Sequence, residues 1–349
     1  MDSGGQSDAR VATGGVNMRV TVVAKDLGYG GHARTVIELA HGLQSAGHRV
    51  TLAVPESAAV DWPVQCPLVR IAPDGPNNLQ GSEVAVAADT ESFDVAARCA
   101  GGRVIRFLGR FDPFYVPDTA AAERSIREAA VWVTSESIGA LVRSRFGKVA
   151  TVLHPGVDPS VFRVRPERRP AGVGQKVLLL VAPEGPGLPP RGLGVAYAAL
   201  DRVRSALPGV ECHALCRGGV RPPGEGWVLH GRLPDHQLAL LYNSVDLFIH
   251  PAGGERAPIS VLEAMACGTP VAGVYGDGMN EIAVSGYNAV LAPPGDVERL
   301  ARMIQLALTD LTLRTHLIAG GLETAREAHW TRLYQEAVKA VVRAASTWR

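Results

Sequence analysis

The chain has almost no net charge, 35 Lys and Arg against 34 Asp and Glu over 349 residues. A balance of +1 implies no polyelectrolyte partner. Aromatic residues are scarce at 5%, and no basic stretch is interleaved with them. That argues against nucleic acid. No apolar run approaches membrane-spanning length, and the N-terminus is polar rather than signal-like. No transmembrane segment is therefore expected, while peripheral membrane contact stays open. Cysteine is limited to Cys66, Cys99, Cys212, Cys216 and Cys267, an odd number at irregular spacing. These read as reduced core residues, and the expected location is cytoplasmic. Cys212, His213 and Cys216 form at most half a metal site with no second ligand pair behind it, so a buried strand is the reading.

What is present is alternation. The length suits two ordinary domains. Residues 1–17 are rich in Gly, Ser and Asp without apolar periodicity and read as a disordered tail, with Met18 as an alternative start. RVTVVA at 19–24, a helix over 34–46 and RVTLAVP at 49–55 make a β-α-β opening, which implies a parallel sheet. Residues 57–103 carry only short, weak signals. Strands follow near 103–108 and 130–136, with helices over 119–128 and 137–146. The basic, Pro-containing run 163–170 reads as a linker. A second alternating series starts with the apolar strand at 176–182 and ends in helices over 311–320 and 332–345. Two Rossmann-like α/β domains facing across a cleft follow from this pattern. Their extents are 18–165 and 176–328, with 329–349 left as a terminal helix.

Gly28-Tyr29-Gly30-Gly31-His32-Ala33 fits the G-x-G-x-x-A fingerprint of dinucleotide binders. Two features oppose that reading. The glycines do not follow the strand directly, and the second strand ends in Val54-Pro55 without an acid placed for a ribose. The structural alternative is a tight strand-to-helix turn.

The most informative stretch runs from Ile249 to Glu281. It reads as a buried strand, a loop of small residues, a helix, a strand and a turn. Ser260-Val261-Leu262-Glu263 has capping-box spacing, and Gly268 is placed to stop the helix. A loop feeding a helix N-terminus is a ready anion site. Glu255 and Glu263 flank it, and carboxylates accept hydrogen bonds from paired hydroxyls. A phosphate cradle between two hydroxyl readers suggests a sugar nucleotide. Glu255 has a bland alternative as the partner of Arg256, and Glu263 as the capping partner of Ser260.

The run E-R-A-P-I-S-V-L-E-A-M-A-C-G-T-P-V closely resembles the signature of retaining GT-B glycosyltransferases of family 4, also called glycosyl transferases group 1. The resemblance covers most of residues 18–345, and it is highly specific only over 249–292. It implies the GT-B fold, with a C-terminal helix crossing back to the first domain. It implies that Glu255 contacts the donor sugar and Glu263 the nucleotide ribose, with the backbone of Ala257, Pro258, Ile259 and Ser260 between them at the diphosphate, its free N–H groups as the donors. Gly30 and Gly31 are then placed for backbone approach to the donor phosphate or the acceptor. Leu229 to Arg232 resembles the segment that reads the nucleobase, and Asp277 to Glu281 the family's G-G-x-x-E turn, where Gly278 and Asn280 shape the pocket and Glu281 is structural.

Such enzymes meet the charge that builds on the leaving diphosphate with basic groups and helix N-termini rather than a metal. No D-x-D motif occurs here, in keeping with that class. Arg191 falls at the position of the family's Lys, and its Arg has no counterpart in the loop PEGPGLPPRG. Arg256, Arg217 and Arg232 are the substitutes to consider. The family's first-domain His is also missing from RVIRFLGRFD, leaving His32, Arg106 and Asp112 as candidate acceptor contacts and His154 as a packing residue.

The implied function is transfer of a hexose-like sugar from a nucleotide-sugar co-substrate to a hydroxyl of a small molecule or glycoconjugate, with Glu255 and Arg191 in catalytic roles and no cofactor or metal. The rivals are a GT-B-like protein that binds sugar nucleotide without transfer, a transferase for lipid-linked glycans, and an epimerase of the same fold. A basic or apolar membrane face on the first domain would mark the lipid-linked case.

Overall fold

The computed structural model describes residues 17–72, 79, 81–166, 174–182, 192–217, 219–251 and 258–348. Residues 1–16 of the expected tail lie outside them, as do Arg191, Glu255, Arg256 and Ala257.

The first domain alternates strands and helices: β1 (Arg19–Val23), α1 (Gly31–Ser45), β2 (Arg49–Pro55), β3 (Leu68–Ile71), β4 (Val84–Ala87), α2 (Phe93–Cys99), β5 (Val104–Leu108), α3 (Thr119–Glu128), β6 (Ala130–Val133), α4 (Glu136–Phe146) and β7 (Thr151–Val152). Its strands order 3-2-1-4-5-6-7, every pair parallel. The segment 57–103, weak in sequence, supplies β3, β4 and α2. β4 is only VAVA, yet wholly buried in the middle of the sheet.

The second domain holds β8 (Lys176–Val181), α5 (Leu193–Ala206), β9 (Glu211–Cys216), β10 (Trp227–His230), α6 (Asp235–Ser244), β11 (Leu247–His250), α7 (Ile259–Ala266), β12 (Val271–Val274), α8 (Asp277–Asn280), β13 (Val290–Ala292), α9 (Val297–Thr309) and α10 (Leu311–Glu327). The sheet order is 10-9-8-11-12-13, again parallel throughout. Strands such as KVLLLV are apolar and buried after the opening Lys176 because helices cover both faces of a parallel sheet. In each sheet the order reverses beside the first strand, and the crevice beyond the carboxyl ends at that point is where such sheets bind ligands.

The last helix, α11 (Trp330–Thr347), leaves its own domain and packs on the first. Trp330, Leu333, Val338 and Val341 join Val36, Ile37 and Leu43 of α1 in one apolar core. The two helices are in such close contact that a Cβ on Gly42 would stand 2.4 Å from Tyr334 Cδ1. The Tyr334 hydroxyl donates to Glu38, Glu38 pairs with Arg34 at 2.9 Å, and Arg34 reaches Asp235 of α6 at 2.8 Å. A polar chain thus ties α11 through α1 to the second domain.

Four cysteines are buried, Cys216 is half-buried, and all five are free thiols. Burial pushes the Cys66 and Cys212 thiols up to about 11. His213 lies on β9 between Glu211 and His230, at 2.8 Å from each. Among the described residues no cluster of three or more His, Cys, Asp or Glu is arranged to hold a metal, and no helix is long and apolar enough to cross a membrane.

Candidate functional site

α7 begins at Ile259 with Pro258 as its N-cap, and no side chain caps it. The expected capping box is therefore not formed. Ser260 lies inside the first turn and is buried, so its hydroxyl is not at the cap position. Glu263 is released from that role. Its Oε2 accepts a hydrogen bond of 3.2 Å from the hydroxyl of Tyr242, which is fully buried on α6. Burial is the main influence on the Glu263 carboxyl and pushes it up to about 7. Arg217 pulls the other way, and Asp235 adds to the rise.

Arg217 directly follows β9, at the carboxyl end of the sheet. Its backbone N–H bonds to Val181 O at 2.7 Å, which pins the residue beside the end of β8. Its Nε is buried and has no hydrogen-bond partner among the described residues. A guanidinium N–H left unpaired in a buried setting costs free energy. It gains most by meeting an anion.

The first domain faces this site through its glycine loop. Gly30 caps α1, and a Cβ there would meet nothing within 4 Å. A Cβ on Gly31 would sit 3.5 Å from Ile259 Cδ1. The N-terminal turns of α1 and α7 therefore adjoin across the cleft, one from each domain. Both ends carry partial positive charge.

Tyr29, Trp62, Arg34 and Asp235 belong to the same cluster, and sequence reasoning gave none of the four a role in the site. The rings of Tyr29 and Trp62 stack at 4.7 Å and 12°. Arg34 lies over Trp62 at 4.9 Å, while Arg217 and Arg232 lie 5.5 and 5.0 Å from the Tyr29 ring. The Tyr29 hydroxyl donates to Leu233 O at 2.7 Å. Arg232 itself pairs with Asp61 of the first domain at 2.9 Å. Leu229, on the edge strand β10, is 45% exposed. A Tyr between glycines was the one signal available, because Trp62 falls in the segment that lacks periodicity.

Of the three candidate acceptor contacts, Arg106 and Asp112 are corrected. Arg106 is wholly buried. Its Nη1 donates to Ala87 O at 3.2 Å, its Nε to Ser125 Oγ at 3.3 Å, and Nη2 pairs with Asp112. A guanidinium so enclosed has no face for an acceptor. Asp112 is 6% exposed and also accepts from Arg110 Nε at 3.1 Å and Thr90 Oγ1 at 3.0 Å. Burial alone would raise its carboxyl, but Arg106 and Arg110 outweigh burial and hold it below the usual carboxylate range. These two residues brace the carboxyl ends of β4 and β5. His32 stacks on Phe107 at 5.8 Å and bonds through Nε2 to Ala88 O at 2.8 Å. Its Nδ1 is buried without a partner, and burial pushes its pKa down to about 4. A Cβ on Gly109 would stand 2.1 Å from that Nδ1. In this conformation the His32 Nε2 is taken by Ala88, and its Nδ1 is turned toward Gly109 without a partner.

Glu281 joins the domains elsewhere. Its carboxylate takes the backbone N–H of Glu136 and of Ser137, both at 2.9 Å, and the Ser137 hydroxyl at 2.6 Å. This places a negative charge at the N-terminus of α4, where the helix dipole favours it. His154 Nε2 stands 3.9 Å from it.

Comparison with known proteins bears on the fold and on the segment that carries α7. Residues 223–324 match the family described as glycosyl transferases group 1. The O-antigen chain mannosyltransferase B of Escherichia coli is 31% identical over 43% of this chain and 41% of its own length. A D-inositol 3-phosphate glycosyltransferase of Stackebrandtia nassauensis is 28% identical over 60% of this chain and 53% of its own. The chain thus spans about half, or less, of the curated relatives it matches. Among solved structures, the sucrose-phosphate synthase of Thermosynechococcus elongatus superposes with a TM-score of 0.77 at 16% identity, over 95% of this chain and all of that one. Anabaena HepE, solved in complex with UDP-glucose, also gives 0.77 at 15% identity, over 94% and 100%. At such identities the likeness speaks for the fold. Residues 223–324 thus match the glycosyl transferases group 1 family, and the chain as a whole shares the two-domain GT-B fold of these structures.

Proposed function

We propose that this chain transfers a hexose-like sugar from a nucleoside-diphosphate donor to an acceptor hydroxyl, with retention and without a metal. The observation that carries the reading is that Glu263 lies within the electrostatic reach of Arg217, whose Nε is buried without a partner, beside the N-terminus of α7 that no side chain caps. Glu263 would accept from the ribose hydroxyls. Arg217, helped by Arg191 and by N–H groups of α7, would hold the diphosphate as charge builds on it. Glu255 takes the sugar in this scheme, on the strength of its place in the motif. No side chain of the first domain is assigned as a base. In a front-face path the leaving phosphate itself takes the acceptor proton, the new glycosidic bond forming as the bond to phosphate breaks.

The test is a donor panel of UDP, GDP, ADP and dTDP sugars, with small polyols and cyclitols as acceptors, with and without EDTA. Release of one nucleoside diphosphate coupled to an α-linked product from an α-donor is the expected result. No release from any donor, or release unaffected by Glu263→Gln, would refute the assignment.

A second reading, a lipid-linked acceptor, draws support from one surface. Phe114 is 44% exposed on the first domain, with the Arg145 guanidinium 5.2 Å from its ring and Arg110 5.2 Å from the ring of Tyr115. Cosedimentation with anionic vesicles, lost in Phe114→Ser, would favour it.

A further inference from the structure

The Tyr29 ring stands among the groups that the proposed function assigns to a nucleotide. Arg217 and Arg232 flank it at 5.5 and 5.0 Å, and its hydroxyl donates to Leu233 O at 2.7 Å. Leu229 to Arg232 is the segment expected to read the base, and Leu233 is its next residue. A flat ring carrying a hydrogen-bond donor is what a nucleobase would offer to that backbone and those cations.

We infer that Tyr29 is an internal occupant of the nucleoside subsite, bridging the two domains in the ligand-free chain and leaving when the donor enters. This rests on the donor-site reading of Glu263 and Arg217.

The local chain is built for such a movement. Tyr29 lies between Gly28 and the pair Gly30-Gly31, and the Cβ position of Gly30 faces open space. Glycines on both sides let the backbone turn at small steric cost. The loop has modest anchors to release: Tyr29 N–H to Asp61 at 2.9 Å, the hydroxyl to Leu233, and the stack on Trp62. The occupied form competes with the nucleotide, so apparent affinity falls by the fraction of chains in which the subsite is open. Arg217 enters the argument again here. One face of its guanidinium is spent on Tyr29, while its Nε waits without a partner. Departure of the ring would expose that cation to a diphosphate.

The experiment titrates the full chain with UDP, GDP, ADP and dTDP by calorimetry, and follows association by stopped-flow tryptophan fluorescence. Wild type, Tyr29→Phe and Tyr29→Ala are compared. One nucleotide series should bind all three. Tyr29→Phe loses one neutral hydrogen bond from the closed form and should bind about fivefold tighter. Tyr29→Ala should bind at least about tenfold tighter, with the gain in association rate, because the open state is already populated. Wild-type binding that Tyr29→Ala weakens or leaves unchanged overturns the inference and makes Tyr29 a stacking lid or a bystander. Binding by none of the three overturns the donor-site reading itself, and the inference with it. Tyr29→Phe removes a single oxygen, so it decides the question even if the alanine variant folds poorly.

Discussion

Glu263 ties stability to pH in a direction opposite to that of most carboxylates. Burial pushes its folded pKa up to about 7, against 4.5 as its ordinary value. The native state therefore holds a proton that the unfolded chain has already released, and stability falls as pH rises between these values. Below about 4.5 both states are protonated and this group costs nothing. Above about 7 both are ionised and the folded state bears the full penalty. A difference of about 2.5 units corresponds to roughly 3 kcal/mol. Glu263→Gln keeps an acceptor for the Tyr242 hydroxyl and carries no charge. At pH 8 it should be more stable than wild type by about 1–3 kcal/mol, or roughly 2–6 °C in melting temperature for a chain of this size. At pH 5 the two should nearly coincide. The assay is a thermal melt of both proteins from pH 5 to 9 without nucleotide. Function supplies the counterweight, since ribose hydroxyls donate best to the ionised carboxylate. Nucleotide affinity of the wild type should rise through pH 7, and the Gln variant should lose both the affinity and the pH dependence. Parallel pH slopes for the two melts, or a Gln variant less stable at pH 8, would refute the reasoning.

Arg217→Ala should weaken nucleoside-diphosphate binding by about tenfold to a hundredfold, the range for a charge-assisted contact of roughly 1.5–3 kcal/mol, measured by calorimetry at constant salt. Glu281→Ala removes the acceptor of two amides and a hydroxyl at the N-terminus of α4. Its melting temperature should fall, and small-angle scattering should show a larger radius as the domains part; an unchanged profile would show that the other interdomain contacts suffice. Gly42→Ala drives a methyl against Tyr334 Cδ1, Cγ and Cβ, atoms too near the α11 backbone to swing away. Overpacking of about 1–3 kcal/mol should exceed the roughly 1 kcal/mol that Ala gains over Gly in a helix, lowering the melting temperature.

The errors of sequence reading are instructive because each has a local cause. Ser260 and Glu263 have capping-box spacing, but Pro258 takes the cap position, and Glu263 turns to a tyrosine 21 residues away. Arg106 and Asp112 are polar residues near a strand end, which suggested a cleft-facing role. Their sequence separation of six hides the fact that they pair with each other inside the domain. β3 and β4 are four residues each, too short for periodicity to stand out, and the sheet makes them strands by pairing on β2, β1 and β5.

The sequence by itself determined the parallel character of both sheets, because apolar runs such as VLLLV and LFIH have no polar face to turn to water. It also pointed to the family that residues 223–324 match, because the spacing from Glu255 to Glu263 and the residues between them carry local chemistry that needs no fold to be read. Tertiary structure alone decided which cations face the site, that Arg217 carries an unpaired Nε, and that Tyr29 of the first domain reaches Leu233 of the second. Those facts depend on residues about 200 positions apart meeting across a cleft. Side-chain burial and pairing there are set by the packing of two domains, which no local pattern records.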